Sequence, residues 1–182
     1  MRRPITTIAA AAATFVASQP SPTVAAPQRL AERDAAHGVV ADFEGRRLDL
    51  GKGWGEARAC HVDDDGTSCY LTEADMVRAE GLFARGGSLA AAMSTCSSDL
   101  RLYRDANWAG PVLSVSTRQV VVNLVGYGFN DVTSSFKVGA CDARLYDTTT
   151  GSGLYPGDTS ANTTSGSMSS GWNDRVGSLY IL

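Results

Sequence analysis

Asp99-Leu100-Arg101-Leu102-Tyr103 and, 43 residues later, Asp142-Ala143-Arg144-Leu145-Tyr146 decide how this chain is read. Shifted by that interval, the C-terminal half falls onto itself without a gap. Gly110 meets Gly153, Gly128 meets Gly171, Asn130-Asp131 meets Asn173-Asp174, Ser135 meets Ser178, and Phe129 meets Trp172. The identities cluster at turns and strand starts, where backbone geometry restricts residue choice. A repeat of this kind signals a duplicated supersecondary unit. Each copy opens with a Leu-Tyr strand and a Gly turn, continues through short β segments, and ends on an Asn-Asp turn and a closing strand. Ser135-Phe136-Lys137-Val138 closes the first copy and Ser178-Leu179-Tyr180-Ile181-Leu182 the second. About four short strands with Gly-rich corners fit a Greek key. Two such keys packed face to face predict a mainly β sandwich with one shared core.

Two motifs carry a family resemblance. Tyr103-Arg104-Asp105-Ala106-Asn107-Trp108-Ala109-Gly110 has two aromatics and a Gly at fixed offsets. Asn130-Asp131-Val132-Thr133-Ser134-Ser135 has two Asn/Asp, two variable residues and two hydroxyls. Residues 96–182 thereby resemble the microbial βγ-crystallins, including their secreted metalloproteinase-inhibitor branch. The second copy is degenerate: Gly151 replaces the second aromatic, and in Asn173-Asp174-Arg175-Val176-Gly177-Ser178 a glycine stands at the first hydroxyl position.

The resemblance implies calcium, which takes six to eight hard oxygen ligands in flexible geometry. Carried over, one site combines Asn130, Asp131, the Val132 carbonyl and Ser134 with the loop near Asp147. The other combines Asp174 and the Arg175 carbonyl with the loop near Asp105. Gly177 removes a ligand from the second site and Arg175 adds a cation, so one ion at the first site is the expectation, against turns that merely hold the corner. The inhibitor branch implies a secreted protease as partner, with a Cys96–Cys141 disulfide tying the starts of the two keys together. The Gly- and Ser-rich segment 157–170 reads as a long, flexible exposed loop.

Residues 38–93 read as a small α+β unit. Apolar alternation around Gly45 predicts one or two strands between Gly38 and Leu50. Segments 56–62 and 67–72 flank Asp63-Asp64-Asp65-Gly66, which predicts a hairpin with a four-residue acidic turn. Counting outward, Val62 faces Thr67 and Cys60 faces Cys69, so a cross-strand disulfide is geometrically reasonable. The acidic turn lacks the twelve-residue ligand run of an EF-hand. Thr72 as N-cap with Asp75 three residues on opens a helix, with Met76, Ala79 and Leu82 on one face and Gly86-Gly87 at its end.

The N-terminus bounds the rest. Arg2 and Arg3, the apolar run from Ile8 to Val16, and Thr23-Val24-Ala25 form the three parts of a signal peptide over residues 1–25. Residues 26–37 read as a lead-in. Four Cys in an exported chain (Cys60, Cys69, Cys96, Cys141) predict two disulfides. Zinc is disfavoured, because no C-x-x-C occurs and His37 and His61 are not spaced as a ligand pair. A net charge of −3 without a basic stripe argues against nucleic acid or membrane partners. No nucleophile elbow or metal-binding helix appears. The expectation is therefore a secreted, monomeric, non-enzymatic protein.

Overall fold

The computed structural model describes residues 38–81 and 99–182. The signal-peptide and lead-in assignments, Leu82, Gly86-Gly87 and Cys96 lie outside them. The chain is mainly β, with eleven strands and one helix of seven residues among the described residues.

β1 (Val40–Phe43) and β2 (Arg46–Asp49) form a hairpin whose turn residues Glu44 and Gly45 both have positive φ, at 52° and 74°. β3 (Ala59–Val62) and β4 (Thr67–Tyr70) pair with Cys60 opposite Cys69 and Val62 opposite Thr67, the expected register. Asp63 closes that turn by accepting the N–H groups of Asp65 and Gly66, both at 2.9 Å. Cys60 and Cys69 are disulfide-bonded across a Cα–Cα distance of 4.1 Å. Cys141 is disulfide-bonded as well.

Helix α1 (Glu73–Ala79) starts on the expected cap, with Thr72 Oγ1 accepting the Asp75 N–H at 3.1 Å. It stops at Gly81, whose φ of +60° takes the left-handed conformation that ends helices. The end expected at Gly86-Gly87 lies outside the described residues.

The two keys follow the repeat. The first comprises β5 (Leu100–Asp105), β6 (Ala109–Val115), β7 (Val122–Asn123) and β8 (Ser135–Lys137). The second comprises β9 (Ala143–Tyr146), an isolated bridge at Leu154, β10 (Thr164–Ser165) and β11 (Ser178–Ile181). Each key lends its third strand to the other: β10 pairs with β8, and β7 pairs with β11. The keys are thus interlocked rather than merely stacked.

The 38–81 segment joins the same sheet. β3 pairs in parallel with β6 and β1 in parallel with β4, giving the eight-stranded order β10-β8-β5-β6-β3-β4-β1-β2. Opposite lies the three-stranded sheet β7-β11-β9. Alternation along each strand then sorts the side chains. Cys60, Val62, Leu100, Leu102, Leu113 and Val115 face the sandwich core, where Phe43, Leu50 and Trp54 pack with Phe129, Leu145 and Leu179. Ala59, Tyr103 and Val112 face the other way and are covered by Met76 and Val77 of α1. The large sheet therefore carries apolar packing on both faces.

Candidate functional site

The two Asn-Asp turns meet across the interface between the keys. Asp131 and Asp174 both adopt left-handed backbone, at φ 55° and 57°, which short polar side chains tolerate. The turns exchange reciprocal bonds: the Asp131 N–H donates to the Val176 carbonyl and the Asp174 N–H to the Thr133 carbonyl, each at 3.1 Å. Asn130 and Asn173 each donate a side-chain N–H to the following Asp, at 2.6 and 2.7 Å. The last serine of each turn fastens its own key's first hairpin. Ser135 Oγ donates to the Asp105 carbonyl and Ser178 Oγ to the Thr148 carbonyl, both at 2.6 Å. Positions 105 and 148 are again 43 apart, so this tie belongs to the duplication.

Ser134 is placed differently from the sequence expectation. Its N–H bonds the Tyr103 carbonyl of its own key at 3.0 Å, and its hydroxyl donates to Asp174 Oδ1 of the other key at 3.3 Å. It therefore groups with Asp174 of the other key. The physical reason is the turn itself: the strand-bound end of the turn lies on its own hairpin, while its Asp end reaches across the interface.

Around Asp131 the chain supplies its own cation. Arg175 Nε donates to Asp147 Oδ1 at 3.1 Å and Arg175 Nη2 to Asp147 Oδ2 at 2.5 Å, a two-pronged pair, with Nη1 on the Gly171 carbonyl at 3.0 Å. The guanidinium also lies 5.3 Å from the Trp172 ring centroid. Hydrogen bonding to Asp147, then its charge, and finally the charge of Asp131 hold the guanidinium proton more tightly than usual. Arg175 thus holds the Asp147 carboxylate, and its charge is also felt by Asp131. A Cβ on Gly177 would lie 2.6 Å from the Asp147 carbonyl oxygen, so the hydroxyl missing there has no room either. These residues do not fit a calcium ion.

The Asp174 side retains oxygen donors. Asp174 Oδ1 and Ser134 Oγ sit 3.3 Å apart, a separation compatible with two neighbouring ligands of one calcium ion. Asp105 Oδ2 is turned against its own hairpin, 2.4 Å from where a Gly110 Cβ would be. The first-key position matching Asp147 is Arg104, whose guanidinium lies 5.7 Å from the Phe129 centroid. On this side one carboxylate, of Asp174, and one hydroxyl, of Ser134, are brought together.

The segment 157–170, expected as a free loop, is fastened at several points. It contains β10; Thr159 exchanges bonds with the Ala143 backbone, the Ala161 N–H donates to Asp142 Oδ1, and the Met168 N–H donates to the Ser134 carbonyl. Buried Tyr155 and Met168 flank or anchor it.

A second polar cluster escaped the sequence reading. His61, Asp63 and Glu80 bring one ligand atom each to within 4.8 Å of one another. The period of a strand puts His61 and Asp63 on one face, but nothing local places the end of α1 beside them.

No protein-family model matches the sequence, and no curated protein matches it. Similarity is found among solved structures. A βγ-crystallin from Ciona intestinalis is 22% identical, covers 47% of this chain and 100% of its own, with a TM-score of 0.41. A βγ-crystallin domain from Flavobacterium johnsoniae is 24% identical, covering 46% of this chain and 92% of its own at a TM-score of 0.38. The N-terminal domain of Protein S is 17% identical over 47% of this chain and 96% of its own, at 0.39. Each of these matches covers about half of this chain.

Proposed function

We propose that this protein is an extracellular βγ-crystallin-like stability module that takes one calcium ion, between Asp174, the Arg175 carbonyl and Ser134. The Ser134–Asp174 contact across the two keys is the observation that carries this reading. An ion there ties the keys together, so its binding free energy adds to the stability of the sandwich. At the pseudo-equivalent position Arg175 supplies a fixed positive charge between Asp147 and Asp131 in place of a second ion. The Cys60–Cys69 disulfide and the bonded state of Cys141 suit an oxidising compartment, as the signal-peptide pattern does.

Calcium titration by calorimetry tests this. One ion per chain is expected, with binding lost in Asp174→Asn and retained in Asp131→Asn. At calcium 100-fold above Kd the folded state gains about 2.7 kcal/mol, read as a raised melting temperature. Two ions per chain, dependence on Asp131, or no binding at all each overturn the reading.

A further inference from the structure

We propose that the α1 side of the large sheet carries a site for a zinc-class divalent transition metal, ligated by His61 Nε2 and the carboxylates of Asp63 and Glu80. His61 lies in β3 beside Ser114 of β6, Asp63 follows at the turn, and Glu80 caps the end of α1. The three ligand atoms lie within 4.8 Å of one another, with His61 Nε2 3.9 Å from Asp63 Oδ2. Tetrahedral ligands at zinc bond lengths stand about 3.3 Å apart, so the set has to draw in by about an ångström on binding. One imidazole with two carboxylates suits zinc-class ions better than calcium.

A second observation points the same way. His61 is 5% exposed and Asp99 6% exposed, yet His61 Nδ1 and Asp99 Oδ1 have no hydrogen-bond partner. Asp99 Oδ2 stands 3.7 Å from His61 Nδ1 and is held by a 2.6 Å bond from Ser114 Oγ. Burying a carboxylate against an unpartnered imidazole is costly in isolation. A metal on Nε2 fixes the proton on Nδ1 and directs it at Asp99, giving the carboxylate–histidine–metal arrangement. Tyr70 completes the outer ring by donating its hydroxyl to Glu80 Oε1. Ser116 Oγ, 3.4 Å from Nε2, is the remaining neighbour, and it also donates to the Val62 carbonyl.

The test is zinc chloride titrated into the metal-stripped full chain with its disulfides formed, followed by calorimetry. One zinc per chain is expected, unaffected by excess calcium and unchanged in Asp174→Asn. Glu80→Gln and Asp63→Asn, which each keep an amide oxygen to accept the Tyr70 hydroxyl or the turn N–H groups, should each weaken binding about tenfold or more while the metal-free chain stays folded. Asp99→Asn, which touches no metal, should weaken it about 10- to 100-fold. No zinc uptake by the wild type, or wild-type affinity in Glu80→Gln, overturns the proposal even if Asp99→Asn or a His61 variant fails to fold.

Discussion

Gly177 and Arg175 separate what composition says from what packing does. Read along the chain, Gly177 is a lost calcium ligand. In three dimensions it is a close-approach residue: a Cβ would fall 2.6 Å from the Asp147 carbonyl oxygen and 2.9 Å from the Thr148 carbonyl carbon. The hairpin of the second key has closed over the space where the first key accommodates Ser134. Restoring the hydroxyl by Gly177→Ser should therefore cost about 1–3 kcal/mol, because main chain must shift to admit it. Urea unfolding measures this, and a variant as stable as the wild type would show that the hairpin yields freely. The same variant should gain no second calcium ion, since Arg175 still holds Asp147.

At the scale of elements, α1 is clamped to the sheet at both ends by tyrosines. Near its N-terminus Glu73 Oε1 accepts from Tyr103 Oη at 2.7 Å and from Arg101 at 3.1 Å, and at its C-cap Glu80 accepts from Tyr70. Burial first, and then the neighbouring carboxylate, pushes Tyr70 up to about 12 and Tyr103 upward in the same way. Both phenols are thus held neutral in the folded state beyond the ordinary value of 10.0. The unfolded chain loses these protons first, so their contribution is complete below pH 10 and disappears as pH rises through about 12. A titration at the tyrosinate absorbance should show two late-ionising phenols whose ionisation coincides with loss of helical dichroism. Ionisation of all tyrosines near the ordinary value, with the helix intact, would contradict the clamp. The elements themselves were largely legible in the sequence, because hairpin register, Asx turn and N-cap are local: Cys60 opposite Cys69 follows from counting out from Gly66. The tyrosine clamps were not, because Glu73 and Tyr103 are thirty residues apart and meet only once the helix lies on the sheet.

For the whole molecule, the decisive contact is the parallel pairing of β3 with β6 over Ala59–Val62 and Val112–Val115. Parallel strands need a long connection, so no turn signature announces such a pair, and the sequence suggested two adjacent units instead. The pairing covers what is otherwise the free edge of the first key and places Ala59, Val112 and Tyr103 under α1. The 39–54 stretch seals one end of the sandwich. The Val39 N–H donates to the Gly126 carbonyl at 2.7 Å, Trp54 Nε1 donates to the Tyr127 carbonyl at 2.7 Å, and the Trp54 ring lies 5.4 Å from that of Phe129. Gly128 permits this approach, since a Cβ there would sit 2.6 Å from the Leu50 carbonyl oxygen. A core shared this fully should melt as one cooperative unit, so calorimetric and van't Hoff enthalpies should agree and fluorescence and dichroism midpoints should coincide. Removing residues 1–81 should part Phe129 from Trp54, bare the β6 edge and uncover Tyr103, leaving residues 82–182 aggregation-prone rather than independently folded. Two separated transitions in the intact chain, or a soluble and cooperatively folding 82–182 fragment, would return the N-terminal segment to the status of an appendage. The β3–β6 seam instead extends the sheet of the first key into the N-terminal segment.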